Sequence, residues 1–291
     1  MGTAERGMAM ERQGCCAILN TKRVTVIICV LILLTLAIAG FAVLIRTTET
    51  GGSLKYVFIT RCKEYLETHD EVRVGIDCNE VWDAFQSSFV AKDPCKISVE
   101  AYDGLMNTAK QKVPCNEMVF WSKTKQMAHK FTQAKKCFMT LEDTLLGFIM
   151  DGLTWCGSQD GNDTYTSGCP NWNTCEQNPV RSFWSRASAH FAESACGNVT
   201  AMLNGSIDKP FSAKSIFGSV EIKKFNPMKI NYVNVVLIGR ENYPMSCKND
   251  SLQELEKTLI PKFKYTCTTV LLSTILKCLE DPQKPCGPCW D

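Results

Sequence analysis

The sequence predicts an α+β protein whose mixed domain follows a single N-terminal transmembrane helix. Three observations carry this prediction: an uncharged apolar run at Val24–Ile45, apolar residues at helical spacing in the first half of the remaining chain, and short β-rich runs in its second half. About 245 residues follow the apolar run, enough for one large domain or two small ones with real cores.

The apolar run Val24–Ile45 is long enough to cross a membrane. Its residues rise about 1.5 Å each and reach roughly 33 Å, against a bilayer core of about 30 Å. Lys22 and Arg23 precede it directly, so the positive-inside rule favours a cytoplasmic N-terminus. A cleaved signal peptide is the alternative, but the run exceeds a signal h-region and no small-x-small cleavage site follows it. We therefore predict a cytoplasmic tail at 1–23, an anchor at 24–45 and a type II cell-surface protein.

The cysteine distribution supports this orientation. Cys15, Cys16 and Cys29 lie in the tail or the anchor, and the other 14 of 17 cysteines follow it. A dense, even set of cysteines is typical of an oxidising compartment. Four Asn-x-Ser/Thr glycosylation sequons lie on the same side, at Asn162, Asn198, Asn204 and Asn249. Cys15 and Cys16 are either palmitoylated at the membrane or unmodified reduced thiols.

The charge balance excludes one class of partner. The formal net charge is +2, and the tail supplies all of it, so the predicted ectodomain is formally neutral. Without a basic field, nucleic acid is not expected as a partner. A phosphate-bearing small molecule needs only local basic groups and remains compatible with this composition.

The first half of the ectodomain is predicted to be mainly helical. Glu80–Val90 and Ser182–Cys196 each place their apolar residues on one face at helical spacing. The apolar run Met118–Trp121 between them is predicted to be a strand.

The segment Thr140–Gly157 carries both acidic and apolar side chains. Thr140 followed by Asp143 fits the Ser/Thr-x-x-acid signal of a helix start, with a carboxylate near the free N–H groups of the first turn. From these residues alone, Glu142 is only a first-turn acid.

The second half contains a strand–helix–strand pattern. Tyr232–Ile238 and Lys264–Val270 are β-rich, and Ser251–Ile260 between them has helical periodicity. Ser251 and Glu254 fit a capping box at the start of that helix. Two strands joined by a helix at this spacing predict a right-handed parallel crossover.

Nine segments occur in a fixed order: VWDAF (Val81–Phe85), VPCN (Val113–Asn116), FWSK (Phe120–Lys123), AHKFTQ (Ala128–Gln133), TLEDTLLGFIMDGLTWCG (Thr140–Gly157), FWSRAS (Phe183–Ser188), FAESAC (Phe191–Cys196), MLNGS (Met202–Ser206) and FGSVE (Phe217–Glu221). Together they resemble the ADP-ribosyl cyclase / cyclic ADP-ribose hydrolase family, whose members are surface and secreted NAD glycohydrolases. The resemblance runs from about Cys62 to Cys278, and the anchor arrangement is similar to that of the membrane-bound lymphocyte-type member.

The resemblance implies a specific architecture. A helical domain would comprise residues 46–114 and 140–195. A smaller domain with a four-stranded parallel sheet would comprise residues 115–139 and 196–291. The active site would lie in the cleft between them.

The resemblance also implies a set of disulfides. The expected pairs are Cys62–Cys78, Cys95–Cys175, Cys115–Cys196, Cys156–Cys169, Cys247–Cys267, and Cys278 with Cys286 or Cys289. Cys137 and one C-terminal cysteine are left over, and they pair either with each other or between chains. A homodimer is therefore left open.

Cleavage of NAD at the nicotinamide–ribose bond makes definite chemical demands. The cationic pyridinium departs as neutral nicotinamide, so it needs no general acid. A buried carboxylate can stabilise or capture the oxocarbenium-like ribosyl centre. Flat aromatic faces suit the nicotinamide ring, and hydrogen-bond donors with a positive charge suit the pyrophosphate.

The resemblance implies which residues meet these demands. Glu221 matches the catalytic glutamate, and Trp121 and Trp184 match the tryptophans that flank the ring. Glu142 and Asp151 match acids that meet the nicotinamide carboxamide. By the same resemblance, Glu142 would also help to set the balance between hydrolysis and cyclisation.

Further matching positions serve the ribose and the phosphates. Ser188 matches the serine near the reacting ribose, and Ser122, Lys123 and Phe217 match residues that hold the phosphates and the rest of the substrate. Two positions depart from the family pattern. Lys123 replaces a frequent arginine, so a bidentate contact becomes a point charge, and Ile216 lacks a hydroxyl donor.

The same residues have simpler interpretations when the resemblance is set aside. Glu221 is then an acid at the end of a strand, Trp184 a core residue of a helix, and Trp121 a packing residue of a strand.

Other arrangements of reactive residues do not amount to a site. The motif Cys286-Gly-Pro-Cys289 has no following helix to activate a redox thiol. His69, His129 and His190 lack metal-ligand spacing and are interpreted as structural.

The sequence therefore predicts an extracellular NAD glycohydrolase with ADP-ribosyl cyclase activity. Its products would be ADP-ribose and cyclic ADP-ribose, and the resemblance also implies base exchange on NADP by nicotinic acid at acidic pH. NAD and NADP enter as substrates, and no cofactor or metal is expected. The alternative is a surface receptor or adhesion protein that keeps the fold with weak or no catalysis.

Overall fold

The computed structural model describes residues 52–69, 72, 75–281 and 287–290. The predicted tail 1–23 and anchor 24–45, with their three cysteines, lie outside these residues. Within the described part of the chain, no helix is both long and apolar enough to cross a membrane. From Leu54 onward the chain forms one compact unit, and its division into the two domains expected above stays a prediction.

Helices are the most common regular structure in the described chain. They are α1 (Gly52–Thr68), α2 (Cys78–Ser87), α3 (Asp103–Thr108), α4 (Lys125–Ala134), α5 (Leu145–Met150), α6 (Pro179–Ser194), α7 (Ile222–Lys224), α8 (Asp250–Leu259) and α9 (Leu272–Glu280). Shorter turns are the 3₁₀ segments Val99–Tyr102 and Leu141–Asp143 and the π-helical turn Phe217–Glu221.

The strands form two sheets. They are β1 (Val119–Ser122), β2 (Cys156–Ser158), β3 (Gly161–Tyr165), β4 (Gly197–Asn204), β5 (Ile230–Gly239) and β6 (Lys264–Leu271). The larger sheet has the order β1-β4-β5-β6 with every pair parallel, which confirms the expected four-stranded parallel sheet. Its carboxyl ends all lie at one edge, which is where ligands bind in open α/β sheets. Strands β2 and β3 form a separate antiparallel hairpin.

The predicted strands agree with the structure better than the predicted helix ends. Strand β1 begins one residue later than predicted, and β5 and β6 contain the two predicted β-rich runs. The helix predicted at Ser182–Cys196 instead begins at Pro179, because the Asn178 side chain caps it by accepting a hydrogen bond from Arg181 N–H at 2.9 Å. The helix predicted at Glu80–Val90 likewise begins earlier, at Cys78, capped by Asp77.

One predicted capping box is present and the other is wrong. Thr140 N–H donates to the Asp143 carboxylate at 2.7 Å, and the reciprocal contact is also made, so the start signal there is confirmed. At α8 the N-cap is Asn249, whose side-chain oxygen accepts from both the N–H and the hydroxyl of Ser251. Ser251 is therefore already inside the helix and cannot cap it.

Five of the expected disulfides are formed: Cys62–Cys78, Cys95–Cys175, Cys115–Cys196, Cys156–Cys169 and Cys247–Cys267. Cys137 is disulfide-bonded as well.

Of the two alternatives for Cys278, the structure forms Cys278–Cys289, so Cys286 as its partner is wrong. The physical reason is the packing of the C-terminal Trp290 against Phe131 of α4, with ring centroids 5.2 Å apart. This contact holds Cys289, which is buried, beside α9. Cys286 itself lies outside the described residues.

The four glycosylation sequons differ in their surroundings. Asn162 and Asn198 are exposed. The Asn204 side-chain amide donates to Lys123 O at 3.4 Å, and that of Asn249 donates to Asp208 O at 2.9 Å. A glycan on either of the last two would have to replace one of these contacts, so Asn162 and Asn198 are the more accessible pair. Glycosylation of all four stays a prediction.

The helical part of the core is organised around a buried hydrogen-bonded pair. Trp155 and Tyr102 are fully buried, and the Trp155 indole N–H donates to the Tyr102 hydroxyl at 3.1 Å. That hydroxyl donates in turn to Pro179 O at 3.0 Å, which ties the start of α6 to the 3₁₀ segment before α3. Since α6 carries residues of the site described below, this buried link helps to fix their position.

We expect Tyr102→Phe to lower the free energy of unfolding by roughly 1–3 kcal/mol, because it leaves a buried indole N–H and a carbonyl without their partner. Chemical denaturation of the purified protein with its disulfides intact would measure the change. Tyr56→Phe is the matched control, since Tyr56 is 73% exposed. Equal effects of the two substitutions would contradict the assignment.

Candidate active site

One cavity of about 500 Å³ lies at the carboxyl end of β1, between α6, the turn Leu141–Asp143 and the turn Phe217–Glu221. All nine residues to which the resemblance assigns a catalytic or substrate-binding role line it: Trp121, Ser122, Lys123, Glu142, Asp151, Trp184, Ser188, Phe217 and Glu221. Side chains that are far apart in sequence therefore meet in one place, and the roles expected for them can act on one ligand.

Strand β1 brings the first three of these residues to the cavity. Because side chains alternate along a strand, Phe120 and Ser122 are buried while Trp121 is half-buried and borders the cavity. Lys123 follows the strand directly and has a left-handed backbone with φ of 59°. This conformation turns the chain from β1 toward α4, and the Lys123 side chain stays exposed at the rim.

The turn Leu141–Asp143 presents Glu142 to the cavity. Its close packing on α5 requires Gly147, because a Cβ there would lie 1.9 Å from Leu141 O. The Glu142 side chain is 9% exposed, and its Oε2 atom accepts a hydrogen bond from the Trp121 indole N–H at 3.1 Å. Burial raises the pKa of Glu142, but the nearby His129 imidazole and the hydrogen bond from the Trp121 indole lower it by more, so the net shift is downward.

Asp151 lies just after α5 on the same side of the cavity. The Arg61 guanidinium donates to Ile149 O and to Asp151 O, both at 2.8 Å, and so fixes the backbone at the end of that helix. The Asp151 carboxylate pairs with Lys125 of α4 at 2.5 Å. The two acids expected near the substrate carboxamide are thus both held by residues on other elements.

Helix α6 contributes Trp184 and Ser188. They are four residues apart and therefore lie on one face of the helix. Trp184 packs edge-on against the buried ring of Phe183 with centroids 5.1 Å apart. It is nevertheless half-buried and borders the cavity, so it is not the fully buried core residue that its helical position alone indicates. The Ser188 hydroxyl is buried against Glu221.

Glu221 lies in a π-helical turn, and its interpretation as an acid at the end of a strand is wrong. The turn closes with Ile222 N–H donating to Phe217 O, five residues back. It packs so closely on the preceding loop that a Cβ at Gly218 would lie 2.4 Å from Ser212 O. Such insertions of one residue into a helical turn are frequent at functional sites.

Glu221 is 7% exposed, and the ionisation of its carboxyl is strongly perturbed. Burial raises its pKa, a hydrogen bond from Ser188 lowers it, and the negative charge of Glu142 raises it again, with a result of about 8. Because water solvates this carboxylate poorly, a positive charge that develops beside it stabilises it strongly.

Several residues of the cavity were not predicted from the sequence. Lys125 and Trp172 both border it, and Trp172 is 39% exposed on the loop before α6. No local pattern marks Trp172. Lys125 could have been found, since it lies one helical turn before His129 on an amphipathic segment. His129 itself was interpreted as structural, whereas its Nε2 atom lies 3.4 Å from Glu142 Oε2.

Comparisons with known proteins identify the family to which this chain is similar. The sequence profile described as ADP-ribosyl cyclase matches residues 51–287. The chain belongs to the ADP-ribosyl cyclase family. The resemblance drawn from the nine sequence segments is therefore confirmed.

Two curated relatives and one solved structure illustrate the similarity. The ADP-ribosyl cyclase/cyclic ADP-ribose hydrolase 1 of Mus musculus is 37% identical over 235 residues, which are 79% of this chain and 77% of the relative. That of Oryctolagus cuniculus is 34% identical over 277 residues, 91% of this chain and 92% of the relative. Porcine CD38, solved with a covalent intermediate, ribo-F-ribose-5'-phosphate, superposes with a TM-score of 0.71 and 38% identity over 75% of this chain and 96% of that one.

The raised pKa of Glu221 predicts how this ADP-ribosyl cyclase depends on pH for stability. The folded-state pKa of Glu221 is about 8, which is above its value in the unfolded chain. The protonated carboxyl therefore makes a contribution to the free energy of unfolding that is fully present below the unfolded pKa and is lost as pH rises through the folded pKa. Glu221→Gln removes this loss. We expect the variant to match the wild type near pH 4 and to exceed its unfolding free energy above pH 8, by on the order of 3 kcal/mol.

Glu193→Gln is the matched control, with unfolding measured for all three proteins at both pH values. Burial raises the pKa of Glu193, but the hydrogen bond and charge of Lys224 lower it to a net downward shift, so its removal should not stabilise at alkaline pH. If the difference in unfolding free energy between Glu221→Gln and the wild type did not grow with pH, this would contradict the burial of an ionisable carboxyl at position 221.

Proposed function

We propose that this enzyme cleaves the nicotinamide–ribose bond of NAD at Glu221 and releases ADP-ribose and cyclic ADP-ribose. The observation that carries the proposal is the position of Glu221, a buried carboxyl in the wall of a cavity that also exposes the indoles of Trp121 and Trp184. A carboxylate and aromatic faces in one cleft are what the transfer of a ribosyl group away from a pyridinium requires. Membership of the ADP-ribosyl cyclase family supports the same reaction.

The leaving group defines the first step. In NAD the nicotinamide ring is cationic, so it suits the indole faces of Trp121 and Trp184, a contact between a cation and an aromatic ring that contributes about 0.5–2 kcal/mol. The acids Glu142 and Asp151 lie on the same cavity wall, where they can accept hydrogen bonds from the carboxamide. When the bond breaks, nicotinamide takes both bonding electrons and leaves neutral, so no proton has to be donated.

Glu221 acts on the ribosyl centre that remains. Its carboxylate stabilises the positive charge that develops at the anomeric carbon, or captures that carbon covalently. The porcine CD38 structure holds a covalent intermediate, which supports capture. Binding of the cationic substrate also favours the ionised form of Glu221, since it opposes the raised pKa of the free enzyme. The Ser188 hydroxyl contacts the Glu221 carboxyl, where it can orient both that carboxyl and the ribose.

The second step decides the product. Water at the anomeric carbon gives ADP-ribose, and the adenine ring of the same molecule gives cyclic ADP-ribose. Nicotinic acid in place of water would exchange the base, a reaction we also propose for NADP. All three outcomes need the same covalent or ion-paired intermediate at Glu221 and differ only in which group enters the space that nicotinamide vacates.

The rim of the cavity suits the phosphates. Ser122 and Lys123 follow the end of β1, and Phe217 begins the turn that carries Glu221. Lys123 supplies one mobile positive charge, whereas Ile216 beside Phe217 supplies no donor. We therefore propose that the pyrophosphate is held mainly by Ser122 and Lys123.

We propose that the reaction takes place outside the cell. Six disulfides among the described residues match an oxidising compartment, and the sequons at Asn162 and Asn198 are exposed. The anchor at Val24–Ile45 lies outside the described residues and rests on the sequence alone. A homodimer stays a prediction.

We expect Glu221→Gln to reduce NAD turnover by about 10³-fold or more, because the amide cannot stabilise or capture the ribosyl cation. Separation of nicotinamide, ADP-ribose and cyclic ADP-ribose by chromatography would measure it. Glu193→Gln, on the opposite part of α6, should retain activity. A Glu221→Gln variant as active as the wild type would overturn the mechanism. Absence of any NAD cleavage by the wild type would overturn the proposed function.

We expect Lys123→Arg to lower the KM for NAD by about threefold with kcat unchanged, because a guanidinium can bind a phosphate through two hydrogen bonds. Lys123→Gln should raise the KM with little effect on kcat. Initial rates over a range of NAD concentrations would separate the two constants. If both variants changed kcat but not KM, Lys123 would act on the chemical step and not on phosphate binding.

A further inference from the structure

Helix α4 contacts both acids of the cavity through two side chains one helical turn apart. Lys125 pairs with the Asp151 carboxylate at 2.5 Å, and His129 Nε2 lies 3.4 Å from Glu142 Oε2. Residues at i and i+4 lie on one face, so the helix presents a basic face to the acidic wall of the cleft. Lys125 is at the open rim, whereas His129 is more deeply placed, with 19% of its side chain exposed.

The surroundings of His129 leave it little choice of partner. Among the residues that the structure describes, Nε2 makes no well-aligned hydrogen bond, and the carboxylate of Glu142 is the group that faces it. The imidazole also stands edge-on to the Trp121 indole, with ring centroids 6.3 Å apart. A proton on Nε2 therefore interacts mainly with Glu142.

Both neighbours of Glu142 act on the same oxygen. The Trp121 indole N–H and His129 Nε2 both approach Oε2, so neither of them occupies Oε1. We propose that His129 is a positioning residue that holds the Glu142 carboxylate and neutralises its charge while protonated, and that it thereby favours cyclisation over hydrolysis. This inference rests on the proposed function and adds to it a residue that sets the product ratio.

The charge of His129 changes in an accessible pH range. The close contact with the Glu142 carboxylate raises the pKa of His129, burial lowers it, the charges of Glu142 and Asp151 raise it, and that of Lys125 lowers it, with a net upward shift. The imidazole therefore stays charged to a higher pH than a free histidine, whose pKa is about 6.5, and becomes neutral as pH rises beyond that. The ion pair with Glu142 is present below this transition and lost above it.

Loss of the His129–Glu142 ion pair changes the hydration of the Glu142 carboxylate, which borders the space that nicotinamide vacates. An unpaired Glu142 carboxylate retains water, which attacks the ribosyl centre and gives ADP-ribose. A paired carboxylate is less hydrated, so the apolar adenine ring can approach it more easily and cyclise. The fraction of cyclic ADP-ribose should therefore fall as pH rises through the His129 transition.

The product ratio is the sensitive measurement. We expect the initial ratio of cyclic ADP-ribose to ADP-ribose in the wild type to fall by about threefold between about pH 6 and about pH 9, the size of effect typical of a partly exposed ion pair. Both products come from one intermediate, so the ionisation of Glu221 changes both rates alike and cancels in the ratio.

Two substitutions should reproduce the charged and the neutral form of His129 at every pH. His129→Lys keeps a positive charge throughout this range, so its ratio should stay at the acidic wild-type value. His129→Gln keeps an N–H donor near the Nε2 position but is neutral, so its ratio should stay near the alkaline value. In a Glu142→Gln background, His129→Gln should leave the ratio unchanged, because the residue acts through that carboxylate.

His190→Gln is the matched control. His190 lies on α6 and is half-buried like His129, but it is absent from the lining of the cleft, so this variant should keep the wild-type pH dependence. A wild-type ratio that does not change with pH would overturn the inference. So would an unaltered pH dependence in His129→Gln or His129→Lys, or an effect of His129→Gln that persists with Glu142→Gln. In each of these results NAD is still cleaved, whereas failure of the proposed function would leave no products to compare.

Discussion

The burial of one carboxyl group, that of Glu221, is the constraint on which the rest of the site depends. A carboxylate in this position is unfavourable in the free protein, as its pKa of about 8 indicates. It becomes favourable only when a cation forms beside it, which is the event that catalysis requires. The surrounding structure keeps the group there, through the close packing at Gly218, the π-helical turn and the Ser188 hydroxyl.

The second constraint is the convergence of distant segments on one cavity. The parallel sheet places the end of β1 beside the turn that carries Glu221, and α6 crosses the same region with Trp184 and Ser188. The disulfide Cys115–Cys196 joins the chain before β1 to the chain before β4. It therefore ties the strand that carries Trp121 to its neighbour in the sheet. Helix α4 then connects this sheet to the acidic turn through Lys125 and His129.

Local patterns predicted the strands well and the helix ends less well. The runs in β5 and β6 are rich in β-branched and aromatic residues, and such runs have few competing structures. Helix ends depend on which side chain reaches the first N–H groups. Asn249 performs this role at α8, so the capping box inferred for Ser251 does not form. The π-helical turn at Glu221 depends on packing against Ser212 and was invisible to periodicity.

The sequence by itself determined the class of fold, the family and the identity of the residues that line the cleft, because long segments in fixed order are specific even without coordinates. Tertiary structure alone decided how these residues act on one another. It placed the His129 imidazole near the Glu142 carboxylate, Lys125 at Asp151, and Cys289 rather than Cys286 at Cys278. The physical reason is that charge, burial and pairing are properties of neighbours in space, and residues separated by 11 or more positions become neighbours only when the chain has folded.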